Sequence, residues 1–218
     1  IFVKVQTDKN NSSQYFEEKT ENLEKHYNTI DKIQIPEDDK QKIVKPVKEV
    51  IEQKPKLAII VDDVSYKAHV KKILDIDYKI TMSFLPPTDR HKNSALIAQD
   101  LPFAMVHLPL EAMSFKHAEE GTLKINDSYE TMVAKLKQIK ILYPNIQYIN
   151  GHTGSKFTAN KIAMDNLMKA FKQFDYKFLD SRTTAKSVAF EMAKKHNVPF
   201  ISRNVFLDNK PNKEYIQN

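Results

Sequence analysis

The chain has 218 residues, 41% of them hydrophobic and 28% charged, a composition typical of a globular protein with one substantial core. It contains no cysteine, which excludes disulfides, thiolate metal sites and cysteine nucleophiles. The net charge of +6 comes from dispersed lysines and three arginines, so we expect a lysine-rich solvated surface and no nucleic-acid partner.

No stretch of the sequence approaches the roughly 18–20 apolar residues of a membrane helix. The first residue is Ile1 rather than Met, so a signal peptide or membrane anchor upstream of this chain is compatible with the sequence. Residues 1–55 are rich in charge and are interrupted by Pro36 and Pro46. They predict a linker or stalk, helical over 15–30 or extended, that precedes a folded domain at 56–218.

From residue 56 onward, β-prone runs alternate with amphipathic segments, which predicts an α/β domain with a mainly parallel sheet. About six or seven β/α units in roughly 160 residues favour a small or incomplete (β/α) barrel, with a flat doubly wound sheet as the alternative. The absence of any GxGxxG or Walker A pattern excludes dinucleotide and P-loop sites. The predicted strands are 57–61, 79–85, 103–108, 146–150, 177–180 and 199–206, and the predicted helices are 66–75, 90–99, 128–142, 159–174 and 185–196, with Thr158 or Asn160 as the cap of the fourth.

Asp62 and Asp63 follow the first predicted strand directly. Adjacent residues at a strand exit point in different directions, so one carboxylate can bind a metal ion while the other accepts a proton. An ordinary alternative is that one of them caps the helix predicted at 66–75. Carboxylates and imidazoles at the exits of neighbouring parallel strands lie at one edge of the sheet, which favours the metal site.

Two histidines follow later strands in the same way. His107 comes after a buried-strand pattern, with Glu111 four residues on, and His152 stands between Gly151 and Gly154. Alone, His107 is typical of a hydrogen-bonded core residue and His152 of a simple turn. Together with Asp63 they predict a three-ligand metal centre with an open position for water.

The chain has only three glycines, so we expect each one where the backbone needs a positive φ or a close approach. They are Gly121, Gly151 and Gly154.

Charged pairs also lie at the end of the fifth predicted strand and in the last part of the sixth and just beyond it. Asp180 and Arg182 either pair with each other or line the site, and Arg203 with Asp208 would orient a carboxylate or bind an anionic substrate group. The remaining histidines are interpreted as surface residues: His26, His69, His91, His117 and His196.

These motifs, in this order, resemble the divergent polysaccharide deacetylase family, a distant branch of the NodB-type carbohydrate esterases. The resemblance covers about residues 56–215. The matching motifs are Ala58-Ile59-Ile60-Val61-Asp62-Asp63, Leu85-Pro86, His107-Leu108-Pro109-Leu110-Glu111, Gly121-Thr122-Leu123, His152-Thr153-Gly154-Ser155, Asp180-Ser181-Arg182-Thr183-Thr184 and Arg203-Asn204-Val205-Phe206-Leu207-Asp208.

The resemblance implies a distorted (β/α) barrel that hydrolyses N-acetyl groups on a glycan with the help of a divalent metal, expected to be zinc. It implies Asp62 as general base, with Asp180 and Arg182 tuning or orienting it. The metal ligands would be Asp63, His107 and His152. The residues expected to contact substrate are Glu111, Ser155, Arg203 and Asp208.

The leading hypothesis is therefore a metal-dependent glycan deacetylase of the periplasm or bacterial envelope, acting on a glycan related to peptidoglycan. NodB-type enzymes carry a second histidine four residues after the first, where this chain has Glu111. That departure keeps two alternatives open. One is a catalytically degenerate barrel that binds a glycan or an envelope protein, with residues 1–55 as the docking arm. The other is a different metal-dependent hydrolase of amides or esters.

Overall fold

The structure, a computed structural model, describes residues 57–114, 117–210 and 212–214. The linker predicted over 1–55, with its helix over 15–30, lies outside the described residues and stays a prediction. Within the described ranges, no helix has the length and apolar character needed to cross a bilayer.

Six strands alternate with five helices along the described chain. The strands are β1 (Ile59–Val64), β2 (Ile80–Phe84), β3 (Met105–Leu110), β4 (Tyr148–Thr153), β5 (Lys177–Asp180) and β6 (Phe200–Ser202). The helices are α1 (Lys67–Leu74), α2 (Ser94–Gln99), α3 (Tyr129–Leu142), α4 (Lys161–Gln173) and α5 (Ala189–His196).

The sheet is parallel throughout, and its strand order follows the chain order from β1 to β6. A doubly wound sheet would reverse its order at a switch point, and this sheet has no reversal. The six strands form a curled half-barrel with alternating helices. The predicted incomplete (β/α) barrel is confirmed, and the flat doubly wound alternative is wrong.

The central strand β3 is buried along its whole length, as expected for a parallel strand covered on both faces. It runs two residues beyond the predicted end at 108, through Pro109 to Leu110. The extension pairs within the sheet, where Pro109 lies opposite His152 and Leu110 opposite Thr153 of β4. Leu123 adds to it by donating its N–H to the Pro109 carbonyl at 3.0 Å and forming a bridge with Leu110. Proline lacks an N–H but still accepts a hydrogen bond.

The last strand is shorter than the predicted run of 199–206, because its partner β5 ends at Asp180. Past that point Arg203 donates its N–H to the Asp180 carbonyl at 2.9 Å, and the chain leaves the sheet. The fifth helix begins at Ala189 rather than at 185, since the Val188 N–H is bonded to the Thr158 carbonyl instead of a helical partner.

The helix α4 carries the clearest amphipathic pattern and lies within two residues of its predicted bounds. Asn160 caps it, because the side-chain oxygen accepts the Ala163 N–H at 2.9 Å, which confirms one of the two predicted caps. The buried face of α4 packs into the main core with the side chains of β3, β4 and α3. This packing holds the strands whose carboxyl ends carry the candidate site.

Candidate metal centre

Three predicted ligands converge at the carboxyl edge of the half-barrel. The Asp63 Oδ1 atom lies 3.4 Å from His107 Nε2 and 2.9 Å from His152 Nδ1. One ligand atom from each of the three residues lies within 4.8 Å of the others. The rings of His107 and His152 meet edge to face, with their centroids 5.0 Å apart. Residues 44 and 89 positions from Asp63 in the sequence therefore meet at one point.

A local backbone distortion orients the two adjacent carboxylates differently. Asp63 has a left-handed φ of 58°, and the pairing of β1 with β2 shifts its register between Val61 and Val64. A left-handed aspartate is costly in a strand and tends to mark functional sites. The Asp63 side chain is 57% exposed, whereas that of Asp62 is 2% exposed. The distortion therefore turns Asp63 to the open side of the site and Asp62 to the interior.

Burial and the neighbouring imidazoles have opposite effects on the pKa of the Asp63 carboxyl. Loss of water around the carboxylate raises its pKa, but the hydrogen bond with His152 and the charges of His107 and His152 lower it by more. The net effect is a pKa below the ordinary value. Asp63 therefore carries a negative charge at neutral pH, as a metal ligand must.

Behind the three ligands lies a buried hydrogen-bond network centred on Asn150. The register of β3 with β4 places Asn150 opposite His107, and its Oδ1 lies 3.0 Å from His107 Nδ1. The same oxygen accepts the Ser83 hydroxyl at 2.5 Å. The Asn150 Nδ2 donates to Asp62 Oδ1 at 2.8 Å and lies 3.4 Å from Ser181 Oγ.

Asp62 is thus hydrogen-bonded to the network, on the Nδ1 side of His107 and away from Asp63. Its Oδ1 lies 3.8 Å from His107 Nδ1. The alternative of a helix cap does not hold, since the residue at the start of α1 is Tyr66 and no side chain caps that helix. The general-base role of Asp62 stays a prediction.

His152 lies in β4, close to the end of the strand, and two of the three glycines flank it: Gly151 in the strand and Gly154 in the turn that follows. Gly154 has a φ of +81°, and a Cβ there would lie 3.1 Å from the Leu110 Cβ. A Cβ on Gly151 would lie 3.1 Å from Leu110 Cδ1. The third glycine, Gly121, has a φ of +72°. All three therefore lie where a positive φ or a close approach was expected.

Glu111 lies at the junction of three segments rather than among the candidate ligands. Its carboxylate accepts the Ile125 N–H at 2.9 Å and pairs with Lys156 Nζ at 2.6 Å. Its carbonyl accepts the N–H groups of Lys156 and Phe157. The hydrogen bonds from Lys156 and Ile125 lower the Glu111 pKa. These contacts tie the end of β3 to the turn after His152, and a role in substrate binding stays a prediction.

Ser155 lies in that turn as well, half-buried, and its hydroxyl oxygen accepts the Met113 N–H at 3.0 Å. This bond joins the two loops that follow β3 and β4. Its predicted contact with substrate is untested.

Asp180, the last residue of β5, forms its side-chain hydrogen bonds within the loop that follows the strand and includes Arg182. The Asp180 carboxylate is buried and accepts the Arg182 N–H at 2.8 Å and the Ser187 hydroxyl at 2.7 Å. Arg182 itself is exposed and has a left-handed φ of 45°. Arg203 holds the same loop, because its guanidinium donates to the carbonyls of Ser181 and Arg182 at 2.6 and 2.7 Å.

Asp180 and Arg203 therefore stabilise the loop after β5. Ser181, which belongs to the Asn150 network, lies in the same loop. Asp208 lies on the exposed segment after β6. The catalytic roles predicted for Asp180 and Arg182, and the substrate contacts predicted for Arg203 and Asp208, stay predictions.

One histidine assigned to the surface is buried, and that interpretation was wrong. His91 is 7% exposed, with Nε2 3.2 Å from Thr88 Oγ1 and 3.7 Å from Glu119 Oε2. The loop between β2 and α2 folds back on itself through hydrogen bonds from His91 to Thr88 and from Ser94 to His91, which turns the ring inward. His196 is half-buried and bonded to Asp165 at 2.7 Å, while His69 and His117 are exposed. His26 lies outside the described residues.

Sequence reasoning missed the residues that support the ligands, namely Asn150, Ser83 and Ser181. The signal for Asn150 is an amide at the end of a β-prone run, directly before Gly151 and His152. A polar residue in a run that should be buried needs a hydrogen-bond partner. Ser83 and Ser181 carry no comparable signal, because serine is common at strand ends.

The half-barrel and the three convergent ligands define the class of protein: an α/β domain of the polysaccharide deacetylase type. The chain belongs to the divergent polysaccharide deacetylase family, whose profile matches residues 59–218.

Two curated bacterial relatives support this assignment. An uncharacterized protein of Escherichia coli, YibQ, is 30% identical over 164 residues, which are 74% of this chain and 51% of that protein. An uncharacterized protein of Haemophilus influenzae is 33% identical over 158 residues, 70% of this chain and 55% of that protein. The chain spans about half the length of these relatives.

A solved structure shows the same fold. The crystal structure of an uncharacterized protein from Agrobacterium tumefaciens matches with a TM-score of 0.61 at 20% identity, covering 73% of this chain and 67% of that one. This likeness concerns the fold alone.

The residues present fit a divalent metal ion. Two imidazole nitrogens and one carboxylate oxygen form a donor set that suits zinc, and three protein ligands with an open side are typical of catalytic zinc sites. Bonds of about 2.0–2.1 Å in a tetrahedral site place ligand atoms roughly 3.3 Å apart. The 3.4 Å separation of Asp63 Oδ1 from His107 Nε2 agrees with that spacing, whereas the 2.9 Å separation from His152 Nδ1 is that of a direct hydrogen bond, which a bound ion would replace.

Proposed function

We propose that this domain is a metal-dependent hydrolase that removes N-acetyl groups from a glycan of the bacterial envelope, with zinc as the expected ion. The observation that carries the proposal is the convergence of Asp63, His107 and His152 from three strand exits, within 4.8 Å of one another. Membership of the divergent polysaccharide deacetylase family supports the same reaction class.

The reaction consumes one water molecule: its oxygen forms a bond to the acetamide carbonyl carbon, the C–N bond breaks, and acetate and a free amine are the products. A bound divalent ion supplies Lewis-acid polarisation and makes water more acidic. In this chain, Asp63, His107 and His152 would hold the ion. Asp62 is the candidate that takes the proton from water.

A cleft over the loops after β1 and β2 is a candidate site for a carbohydrate substrate. It has a volume of about 420 Å³, and its lining includes Ser65, two residues after Asp63, but none of the three candidate ligands. Its lining includes Tyr66, which is 46% exposed, together with Lys67 and Arg90. An exposed aromatic ring with polar neighbours suits a sugar, which has both apolar faces and hydroxyl groups.

If the cleft holds the glycan, Tyr66→Ala will raise KM several-fold and change kcat little, because the ring contributes binding rather than chemistry. Steady-state kinetics on an N-acetylated oligosaccharide measures the split. The Tyr66 hydroxyl donates to the Arg90 carbonyl at 2.9 Å, so Tyr66→Phe serves as a control that removes this bond and keeps the ring. An unchanged KM in the alanine variant would remove the cleft from the proposal.

The same proposal places the domain in the periplasm or envelope, where acetylated glycans of the peptidoglycan type occur. Fractionation of cells that express the full-length protein tests it. Recovery of the protein in the cytoplasmic fraction alone would contradict this location.

The second candidate function is glycan or partner binding without catalysis. The observation that favours it is the burial of Asp62, whose side chain is 2% exposed and bonded to Asn150. A base in that position needs a movement of the site to reach water on the open side.

One set of measurements separates these functions: metal content of the purified protein after zinc loading, and acetate release from a panel of N-acetylated glycans. Asp63→Ala and His152→Ala are expected to lose both. His196→Ala is the matched control, since His196 is bonded to an aspartate and its side chain is 18% exposed against 15% for His152. Stoichiometric metal without acetate release would favour the binding function. A protein that takes up no divalent ion would contradict the proposed hydrolase.

A further inference from the structure

We propose that Asn150 is a positioning residue that sets the tautomer of His107, with the proton on Nδ1 and the lone pair of Nε2 directed toward Asp63. The inference rests on the proposed metal function, because it concerns how one candidate ligand is prepared for the ion. It adds a role for a residue that touches neither the candidate ion position nor the substrate cleft.

The orientation of the Asn150 amide follows from its partner Asp62. The amide NH₂ faces Asp62, because Asn150 Nδ2 donates to the carboxyl oxygen Oδ1 at 2.8 Å. The carbonyl oxygen of the amide is then on the other side. There it accepts the Ser83 hydroxyl and lies 3.0 Å from His107 Nδ1.

The proton position on His107 follows from the amide orientation. Oδ1 of Asn150 has no proton to give, so His107 Nδ1 must carry the hydrogen of this bond. A neutral imidazole has one N–H, and its second nitrogen, Nε2, therefore presents a lone pair. Nε2 is the atom that lies 3.4 Å from Asp63 Oδ1, on the side of the candidate ion.

Because both residues are buried, their hydrogen bond restricts the position of the proton on His107. Asn150 is 1% exposed and His107 2% exposed, so bulk water cannot replace either partner. Without Asn150, the imidazole proton is free to move to Nε2, where it can be donated to Asp63. A nitrogen that carries a proton cannot bind a metal ion. Loss of such an outer partner typically lowers metal affinity by about 10- to 100-fold.

The direct test is ¹⁵N NMR of the metal-free protein labelled in its histidine rings, at a pH above the titration of the rings. Comparison with His107→Gln identifies the His107 signals. We expect the wild-type protein to show the His107 proton on Nδ1. In Asn150→Leu, which keeps the volume and removes both hydrogen-bonding groups, we expect a shift toward the Nε2–H form and a zinc Kd raised 10- to 100-fold.

Two further variants separate positioning from general damage. Asp62→Asn replaces the carboxylate by an amide that can also donate, so the Asn150 amide can flip and the preference for the Nδ1–H form should weaken. Ile139→Val, a core variant in α3, sets how far a loss of stability alone changes zinc affinity.

The wild-type spectrum decides the matter even if Asn150→Leu does not fold. A proton on Nε2 of His107 in the wild-type protein would overturn the inference. So would an Asn150→Leu protein with wild-type tautomer and zinc affinity. A wild-type protein that binds no metal would contradict the proposed function instead, and the tautomer measurement would be unaffected.

Discussion

At the scale of single residues, the turn after β4 depends on a glycine that no other residue replaces without strain. Gly154 has a left-handed φ of +81°, its N–H is bonded to the Leu110 carbonyl, and a Cβ would press on Leu110. We expect Gly154→Ala to cost about 1–2 kcal/mol of unfolding free energy, from the left-handed backbone alone. Because this turn begins two residues after His152, at the end of β4, we also expect weaker zinc binding.

Gly121→Ala is the matched control for this variant. Gly121 has a similar φ of +72°, is not adjacent to a candidate ligand in the sequence, and has the flexible end of Lys135 as its nearest side chain. Denaturant unfolding and zinc titration should show a loss of stability in both variants and a loss of zinc affinity in Gly154→Ala alone. Equal zinc affinities would show that the turn does not position His152.

The three candidate ligands were predictable because each follows a β-prone run, and parallel strands end at one edge of a sheet. Their support was not predictable. The contact of Asn150 with His107 depends on the register of β3 against β4. The contact of Asn150 with Asp62 depends on the left-handed backbone conformation of Asp63. Neither the register nor a left-handed aspartate has a clear sequence signal.

At the scale of secondary-structure elements, the start of α4 is stabilised by a side chain. Asn160 accepts the Ala163 N–H, and removing that acceptor leaves a helix N–H without its partner. We expect Asn160→Ala to lower the unfolding free energy by about 1 kcal/mol. Chemical denaturation of the metal-free protein measures the change.

Asn93→Ala provides the comparison for the cap. Asn93 also stands at a helix start, that of α2, but its side chain makes no capping hydrogen bond. Its replacement should change stability by only a few tenths of a kcal/mol. Losses of equal size at both positions would contradict the capping account.

The elements themselves were largely predictable, since the alternation of β-prone and amphipathic runs is local. Their ends were not, because distant segments decide them. β3 continues to Leu110 because β4 pairs with it as far as Thr153, and β6 stops at Ser202 because β5 ends at Asp180.

At the scale of the whole molecule, ion pairs make stability depend on pH. The pKa of Asp165 is lowered mainly by Lys195 and also by His196, and that of Glu111 by Lys156 and the Ile125 N–H. A carboxylate with a lowered folded-state pKa contributes stability above its unfolded pKa of about 4 and loses it as pH falls through the folded value.

We therefore expect Tm to fall below about pH 4 as these carboxylates are protonated. The double variant Glu111→Gln/Asp165→Asn should lose part of that dependence, with a lower stability at pH 7 of a few tenths to about 1 kcal/mol per pair. Thermal unfolding of both proteins from neutral to acidic pH measures the difference. Identical pH profiles would contradict the assignment of these pairs.

The position of the three candidate ligands also depends on the order and curvature of the whole sheet. The sequential order of β1 to β6 brings the exits of β1, β3 and β4 to one curved edge, and that curvature brings Asp63 to His107 although β2 lies between their strands. The sequence predicted the barrel class from its alternation and from its family resemblance. The degree of curvature of the sheet could not be predicted from the sequence, because it depends on how the helices pack against the strands.

The most direct measurement of the central claim is anomalous diffraction at the zinc absorption edge from crystals of the domain grown with zinc. The account predicts one strong peak at about 2.0–2.2 Å from an Asp63 oxygen, His107 Nε2 and His152 Nδ1, absent in crystals of His152→Ala. A wild-type crystal saturated with zinc that shows no peak between these three residues would contradict it.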